Sequence, residues 1–266
     1  MNNRKRLEIL MIILIGLIIG LPILLVVIWS FTKSWTWPNL LPSNLTLEGW
    51  IALSRDASMI AEAIATTLIL AAMTLVLNII IGLPAASVLG RNDFRGKNII
   101  EGIILLPVIV PPMVIMMGMY RTFIRLGLTE TFLGLAISHV LPTIPYMIRA
   151  LQVSFSEMDK GFEEQAKMLG ASRQLIFRKI TLFYIMPGLV SGSMISLLIS
   201  MSQYGITQLI GGGYIKTLPV LMYPYISSSN LNIGAMYSLI FAILSICVMI
   251  SLDTFLKFYY RKVRIK

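Results

Sequence analysis

The sequence predicts an all-α polytopic membrane bundle of six transmembrane helices, with an extra cytoplasmic helix between the fourth and fifth and both termini in the cytoplasm. Three observations predict it. First, 57% of the 266 residues are apolar and only 13% are charged, where soluble domains are about a quarter charged. Second, the apolar residues gather into runs of the roughly 20 residues needed to cross a hydrocarbon core. Third, the basic residues divide unequally between the two sides those runs define. The whole chain, 1–266, reads as one membrane domain, with no tandem repeat and no low-complexity stretch.

The six runs fall at roughly 8–31, 61–89, 99–120, 131–153, 181–209 and 233–258. The first follows Arg4, Lys5 and Arg6 and leads into Trp29, Phe31, Trp35 and Trp37. It exceeds the roughly 7–15 residues of a signal-peptide core, so it reads as a retained span with an aromatic belt at its far end. Alternation puts both termini on one side. That side carries 17 of the 22 Lys and Arg residues: those before the first run, Arg91, Arg95, Lys97, Arg149, the 160–179 cluster and the C-terminal group from Lys257. The other side has Lys33, Arg55, Arg121, Arg125 and Lys216. The net charge of +10 is thus a topology signal in short loops, not the basic stripe of a nucleic-acid binder. Cys247, the single cysteine, has no intrachain disulfide partner and sits in an apolar run.

Prolines punctuate the runs, with Pro107, Pro111 and Pro112 in the middle of the third. Each removes a backbone donor and bends a helix. Two readings stand here, a packing kink or a helix bent around a translocation path. Asn78, His139, Ser202 and Gln203, with Tyr204 beside them, are polar groups at membrane depth and so candidates for a substrate pathway. His139, the only histidine, also suits a bond to a neighbouring helix. The Ser202-Gln203-Tyr204 segment serves equally as a polar helix–helix contact. The methionines at 113, 116, 117 and 119 suit packing better than a metal path.

The polar stretch 158–180 stands apart. Phe162, Ala166 and Leu169 recur at i, i+4 and i+7, the spacing of one helical face, and Glu163 and Lys167 form an i, i+4 pair on another. Gly170 follows as a C′ glycine, and Ser172 is placed to cap a second helix from Arg173. The result is a helix–glycine–helix elbow with an apolar face too small to form a core. It fits either an amphipathic linker on the membrane surface or a docking helix for a soluble partner.

Glu164-Gln165-Ala166, three residues, Gly170, nine residues and Ile180-x-Leu182 resemble the EAA loop of ABC importer permeases of the binding-protein-dependent, MetI-like type. Gln165 replaces the usual first alanine, and Phe183 stands where a proline is usual. The likeness extends to Leu106–Pro112, to His139 with Pro145, Tyr146 and Arg149, and to Leu218–Tyr225, so it covers most of residues 60–255. It is greatest for the branch that imports polyamines, phosphonates and thiamine.

The resemblance implies a multi-pass permease subunit in the bacterial cytoplasmic membrane. It implies as partners a dimer of ATP-binding subunits, a second permease subunit and an extracytoplasmic solute-binding protein. The short N-terminus and single six-span core are similar to members that pair with a different permease, so a heterodimer is expected. Residues Phe162, Glu163, Glu164, Ala166, Leu169, Gly170 and Ser172 would couple to the ATP-binding subunit. This chain would bind no cofactor; ATP and Mg would sit on the partner, since Gly211–Thr217 lacks the Gly-Lys-Ser/Thr of a P-loop. The solute would be a small organic ion such as spermidine, putrescine, a phosphonate or thiamine. The Ser202–Tyr204 slot is neutral where polyamine permeases tend to carry acidic residues, which either counts against a polyamine or leaves Glu130 or the partner permease to supply charge. An ion-driven secondary transporter is the competing class, but the chain lacks the central intramembrane carboxylates that class calls for. A membrane enzyme would need paired catalytic groups or a metal cluster, and one histidine with one cysteine do not supply it.

Overall fold

The computed structural model describes residues 3–33, 35, 39, 42, 44–228 and 230–264. The described chain is helical, with one isolated antiparallel bridge between Thr32 and Leu45. It forms two compact units.

The first unit comprises Met1–Ala63 and Val220–Leu244. Helix α1 (Asn3–Ser30) exposes apolar side chains on every side from Leu10 to Leu24, as a helix in contact with lipid does. At its end Trp29 packs on Trp35 and Phe31 on Trp50; Trp29, Phe31 and Trp35 belong to the expected aromatic belt, and Trp37 lies outside the described residues. Short α2 (Glu48–Arg55) follows, and Lys33 pairs with Glu48 at 3.0 Å. Tyr225 of α11 (Leu218–Ser227) stacks on Tyr237 of α12 (Leu231–Arg264).

The second unit comprises Ile64–Pro219 and Ser245–Lys266. Its centre is α6 (Phe132–Glu157), packed most extensively on α9 (Leu182–Ser202). Small residues allow the approach: Gly188 and Gly192 lie one turn apart on α9. A Cβ on Gly188 would come within 2.5 Å of the Ala150 carbonyl, and one on Gly192 within 3.2 Å of the Ala150 Cβ. Helix α3 (Ala57–Arg91) crosses α6 in the same way, because a Cβ on Gly90 would lie 2.7 Å from the Gln152 carbonyl. Two apolar clusters fill the unit, one around Leu70, Leu135 and Ile210, the other around Ala86, Met147, Leu151 and Ile185.

The third expected span, 99–120, is broken. Helix α4 (Lys97–Ile109) and α5 (Pro112–Leu126) meet at 97°. Pro111 and Pro112 bring no N–H to continue α4, and the residue before a proline is driven out of the helical region; Val110 is extended, with φ −72° and ψ 135°. The fifth, 181–209, stops at Ser202. Gln203 is extended, and a separate α10 (Gly205–Ile210) follows. Among the described residues, four helices are long and apolar enough to cross a membrane, five if the bent α4–α5 pair counts as one. Helix α6 is not among them: its prolines and polar side chains, among them Ser138, His139, Thr143, Arg149 and Gln152, dilute its apolar surface.

Candidate functional site: a glycine elbow tied to the bundle

Helix α7 (Gly161–Met168) begins with Asp159 accepting from the Gly161 N–H at 2.8 Å, an acidic group where helix N–H groups need acceptors. It ends in two paired bonds: the Gly170 N–H donates to Lys167 O and the Ala171 N–H to Ala166 O, each at 3.0 Å. That is the Schellman arrangement, and it requires the left-handed backbone that Gly170 adopts at φ +80°. Ser172 then accepts from the Leu175 N–H at 3.3 Å and starts α8 (Arg173–Ile176). A π turn, Phe177–Thr181, carries the chain into α9.

The expected apolar face of α7 divides. Phe162 stacks on Tyr184 at 5.2 Å, and Ala166 is half-buried. Leu169 lies past the helix end and is 88% exposed, with Met168 beside it at 81%. The expected Glu163–Lys167 pair is absent among the described ion pairs, because a stronger donor reaches Glu163 first. Arg91, at the end of α3, grips it with both ends of its fork, Nη1 to Oε2 at 2.6 Å and Nη2 to Oε1 at 2.7 Å. Thr181 donates to Oε1 as well. The Arg91 hydrogen bond chiefly, helped by Thr181 and opposed by partial burial, holds the Glu163 carboxyl below its ordinary range. The guanidinium also lies 4.8 Å over the Phe155 ring, a favourable cation–π distance. Glu164 is exposed and borders the same cavity as Glu163. Beneath the elbow lies a cavity of about 400 Å³ bordered by Pro84, Arg91, Glu163, Lys167, Arg173 and Phe177 among others.

Local periodicity offers no sign of Arg91, 72 positions from Glu163, or of Thr181. A lone arginine closing a long apolar helix, with an acidic helix later on the same side, was the available signal. It served only to orient the chain.

The polar groups at membrane depth fall in two places. Asn78 and His139 are fully buried. Asn78 Nδ2 donates to Thr143 Oγ1 at 2.7 Å, and the Thr143 hydroxyl donates to the His139 carbonyl at 2.7 Å. The His139 ring bridges Ser200 Oγ at 2.9 Å and Thr207 Oγ1 at 3.0 Å, joining α6 to α9 and α10. Ser202, Gln203 and Tyr204 lie at the α9–α10 break. Ser202 is exposed, the other two are half-buried, and the Gln203 carbonyl accepts from Thr207. Glu130, exposed and at φ +61°, borders the Gly211–Lys216 loop, its N–H donating to Ile210 O at 2.8 Å. Met116 and Met119 pack against the Leu70 cluster, while Met113 and Met117 are exposed.

The family model described as binding-protein-dependent transport system inner membrane component matches residues 82–265. The molybdate/tungstate transport system permease protein WtpB of Pyrococcus abyssi is 28% identical over 194 residues, 73% of this chain and 77% of that protein. The spermidine/putrescine transport system permease protein PotC of Haemophilus influenzae is 28% identical over 218 residues, 78% of this chain and 80% of that one. A crystal structure of a bacterial ABC transporter involved in the import of the acidic polysaccharide alginate contains a chain that superposes with a TM-score of 0.67. The match covers 98% of each chain at 17% identity, a likeness of fold. The matched region takes in the elbow, both halves of the bent α4–α5 pair and the α9–α10 break; the chain belongs to the binding-protein-dependent inner membrane transport components, and is an ABC importer permease subunit rather than an enzyme.

Proposed function

We propose that this chain forms half of a solute pathway driven by ATP hydrolysis on partner subunits, and that α7 is the helix those subunits grip. The observation that carries the reading is the two-sided character of the elbow. One side is tied to its own chain through Glu163, while Met168 and Leu169 stand almost fully exposed beside a fixed glycine turn. Large apolar side chains held out on a rigid polar support are the signature of a protein contact. Glu164, Gly170 and Ser172 fix the geometry of that contact. Closure of the ATP-binding dimer then moves α7 as a lever and switches the solute pathway between inward- and outward-open forms.

In this reading the chain crosses the membrane six times with both termini in the cytoplasm. The α4–α5 pair makes one bent crossing and α6 makes another, its Ser138, His139, Thr143 and Gln152 buried in the bundle. The charge division supports it, with 17 of 22 basic residues on the cytoplasmic side. The second permease is expected to be a different chain. Co-expression of two differently tagged copies tests this: a homodimer elutes with both tags.

The solute is proposed to be a small anion. No Asp or Glu occurs between Glu164 and Asp253, so the α9–α10 break itself offers neutral groups from Ser202, Gln203 and Tyr204, with the single carboxylate of Glu130 at the far end of α10. Hydroxyl and amide donors suit an oxyanion, whereas a polyamine calls for carboxylates in a low-dielectric cavity. This favours the oxyanion class carried by WtpB, or a phosphonate, over spermidine, putrescine or thiamine. The test is uptake into proteoliposomes holding both permease chains, the ATP-binding subunits and the external binding protein. Labelled molybdate, a phosphonate, spermidine and thiamine are supplied with ATP inside, or with an ion gradient alone. ATP-dependent uptake of an anion is the expected result. Spermidine uptake reverses the solute assignment, and uptake on a gradient alone makes the chain a secondary transporter.

A further inference from the structure

We infer that Arg91 is the strut through which α7 moves the transmembrane helices, an inference that rests on the docking role of α7 proposed above. A lever works only if it is stiffly joined to what it moves. The covalent joints of α7 are poor in this respect. On one side the chain turns at Gly170, whose Schellman bonds close the end of α7 but reach no other helix, and then passes through the π turn Phe177–Thr181. Such turns interrupt the regular i→i+4 ladder of an α-helix and recur at functional sites. On the other side lies a three-residue non-helical link between Glu157 and Gly161.

The non-covalent joint is stiff. Two parallel hydrogen bonds between guanidinium and carboxylate fix both the separation and the plane of the pair. The guanidinium is seated in turn on the Phe155 ring and against Met158 Sδ at 3.5 Å, which ties it to the end of α6 and the turn beyond. Glu163 takes the Thr181 hydroxyl, which ties it to the start of α9. Both side chains are largely covered, 20% and 23% exposed, so salt screens the pair less than a surface one. The residue before Arg91 is Gly90, whose Cα has no room for a Cβ against the Gln152 carbonyl and Phe155 Cβ, so the end of α3 is pressed onto α6 at this point. One ion pair thus collects α3, α6, α7 and the root of α9. Arg91 is a positioning residue. Its placement inside the elbow, away from Met168 and Leu169, separates the transmission of force from the grip.

The test is a distance measurement that needs no knowledge of the solute. The full complex with its ATP-binding subunits carries spin labels at Gln165→Cys on α7 and Val88→Cys on α3, in a Cys247→Ser background. Distances are read by double electron–electron resonance without nucleotide and after trapping with Mg-ATP and vanadate. With Arg91 intact, one narrow distance is expected in both states, shifting by no more than the 1–2 Å or so of ordinary helix adjustments. Arg91→Gln is expected to broaden the distribution on trapping while retaining its ATP-binding subunits on purification. Arg91→Lys, which keeps the charge and loses the fork, should fall between, and the reversed pair Arg91→Glu/Glu163→Arg should narrow it again. A narrow distribution in Arg91→Gln overturns the strut. So does a shift of about 5 Å, one helical turn, with Arg91 intact, or loss of the ATP-binding subunits from Arg91→Gln, which would make the arginine part of the grip. The docking reading fails separately: Leu169→Asp would then purify with its ATP-binding subunits undiminished.

Discussion

Substitution at Gly170 separates two reasons a glycine can be required. One is conformational: φ is +80°, a region where a residue with a Cβ is strained by about 1–2 kcal/mol, and asparagine least among them. The other is steric, a partner surface that comes too close for any side chain. Within this chain nothing lies within 4 Å of a Cβ at Gly170, so the chain itself makes only the conformational demand. The strain opposes the two bonds that close the elbow, Gly170 N–H to Lys167 O and Ala171 N–H to Ala166 O, each worth about 0.5–1.5 kcal/mol net. A β-branched residue therefore nearly cancels them. Binding to the ATP-binding subunit weakens as the closed elbow becomes less populated, and by no more than the strain itself. At 1.4 kcal/mol per tenfold, Gly170→Ala should weaken it at most about 5-fold and Gly170→Val about 30-fold, with Gly170→Asn under about 3-fold. The assay is the dissociation constant of the ATP-binding subunit on nanodisc-held permease, by interferometry. Asparagine and valine are close in volume and differ in backbone tolerance. Equal losses from the two would refute the conformational argument and place the partner against Gly170; wild-type affinity for Gly170→Val would refute the need for the elbow altogether.

Two other expectations follow from the bonded groups. His139→Phe leaves the Ser200 and Thr207 hydroxyls without their ring partner in a fully buried site. It should cost about 1–3 kcal/mol, read as a lower melting temperature in detergent, with solute selectivity unchanged; altered selectivity at an unchanged melting temperature would put His139 in the pathway. Because the Glu163 carboxyl is held below its ordinary value of 4.5, the charge contribution to the elbow is fully present above that pH and is lost as the pH falls through the depressed value. A fluorophore at Gln165→Cys in a Cys247→Ser background should report a flat response from pH 7 down to the ordinary carboxylate range and release below it. Glu163→Gln should lack the acid step; an unchanged step would assign it to another group.

What the sequence made legible was local, and what it hid was the meeting of distant parts. The elbow was readable because a C′ glycine and an N-cap serine act within a few residues of themselves, and Gly170 and Ser172 do so. Long apolar runs gave α1, α3 and α12, where composition alone decides. The same composition ran through a corner in the third span and past the end of the fifth. Hydropathy is blind to backbone donors, so Val110-Pro111-Pro112 counted as apolar length when it is a 97° corner. The extended Gln203 likewise divides a run that reads as one helix. The i, i+4 rule misassigned Glu163 for a related reason: it ranks only partners on the same helix, and an exposed helical pair is worth only about 0.3–0.5 kcal/mol. A partly covered, two-pronged arginine outcompetes that easily. The consequence for function is specific. The residues proposed to grip a partner, Glu164, Met168 and Leu169, are exposed and sequence-local, whereas residues that would deliver the motion must join separate helices and so lie far apart in the chain. For the proposed lever, that makes the Arg91–Glu163–Thr181 junction a target for mutagenesis that scanning the EAA-like loop alone would reach from one side only.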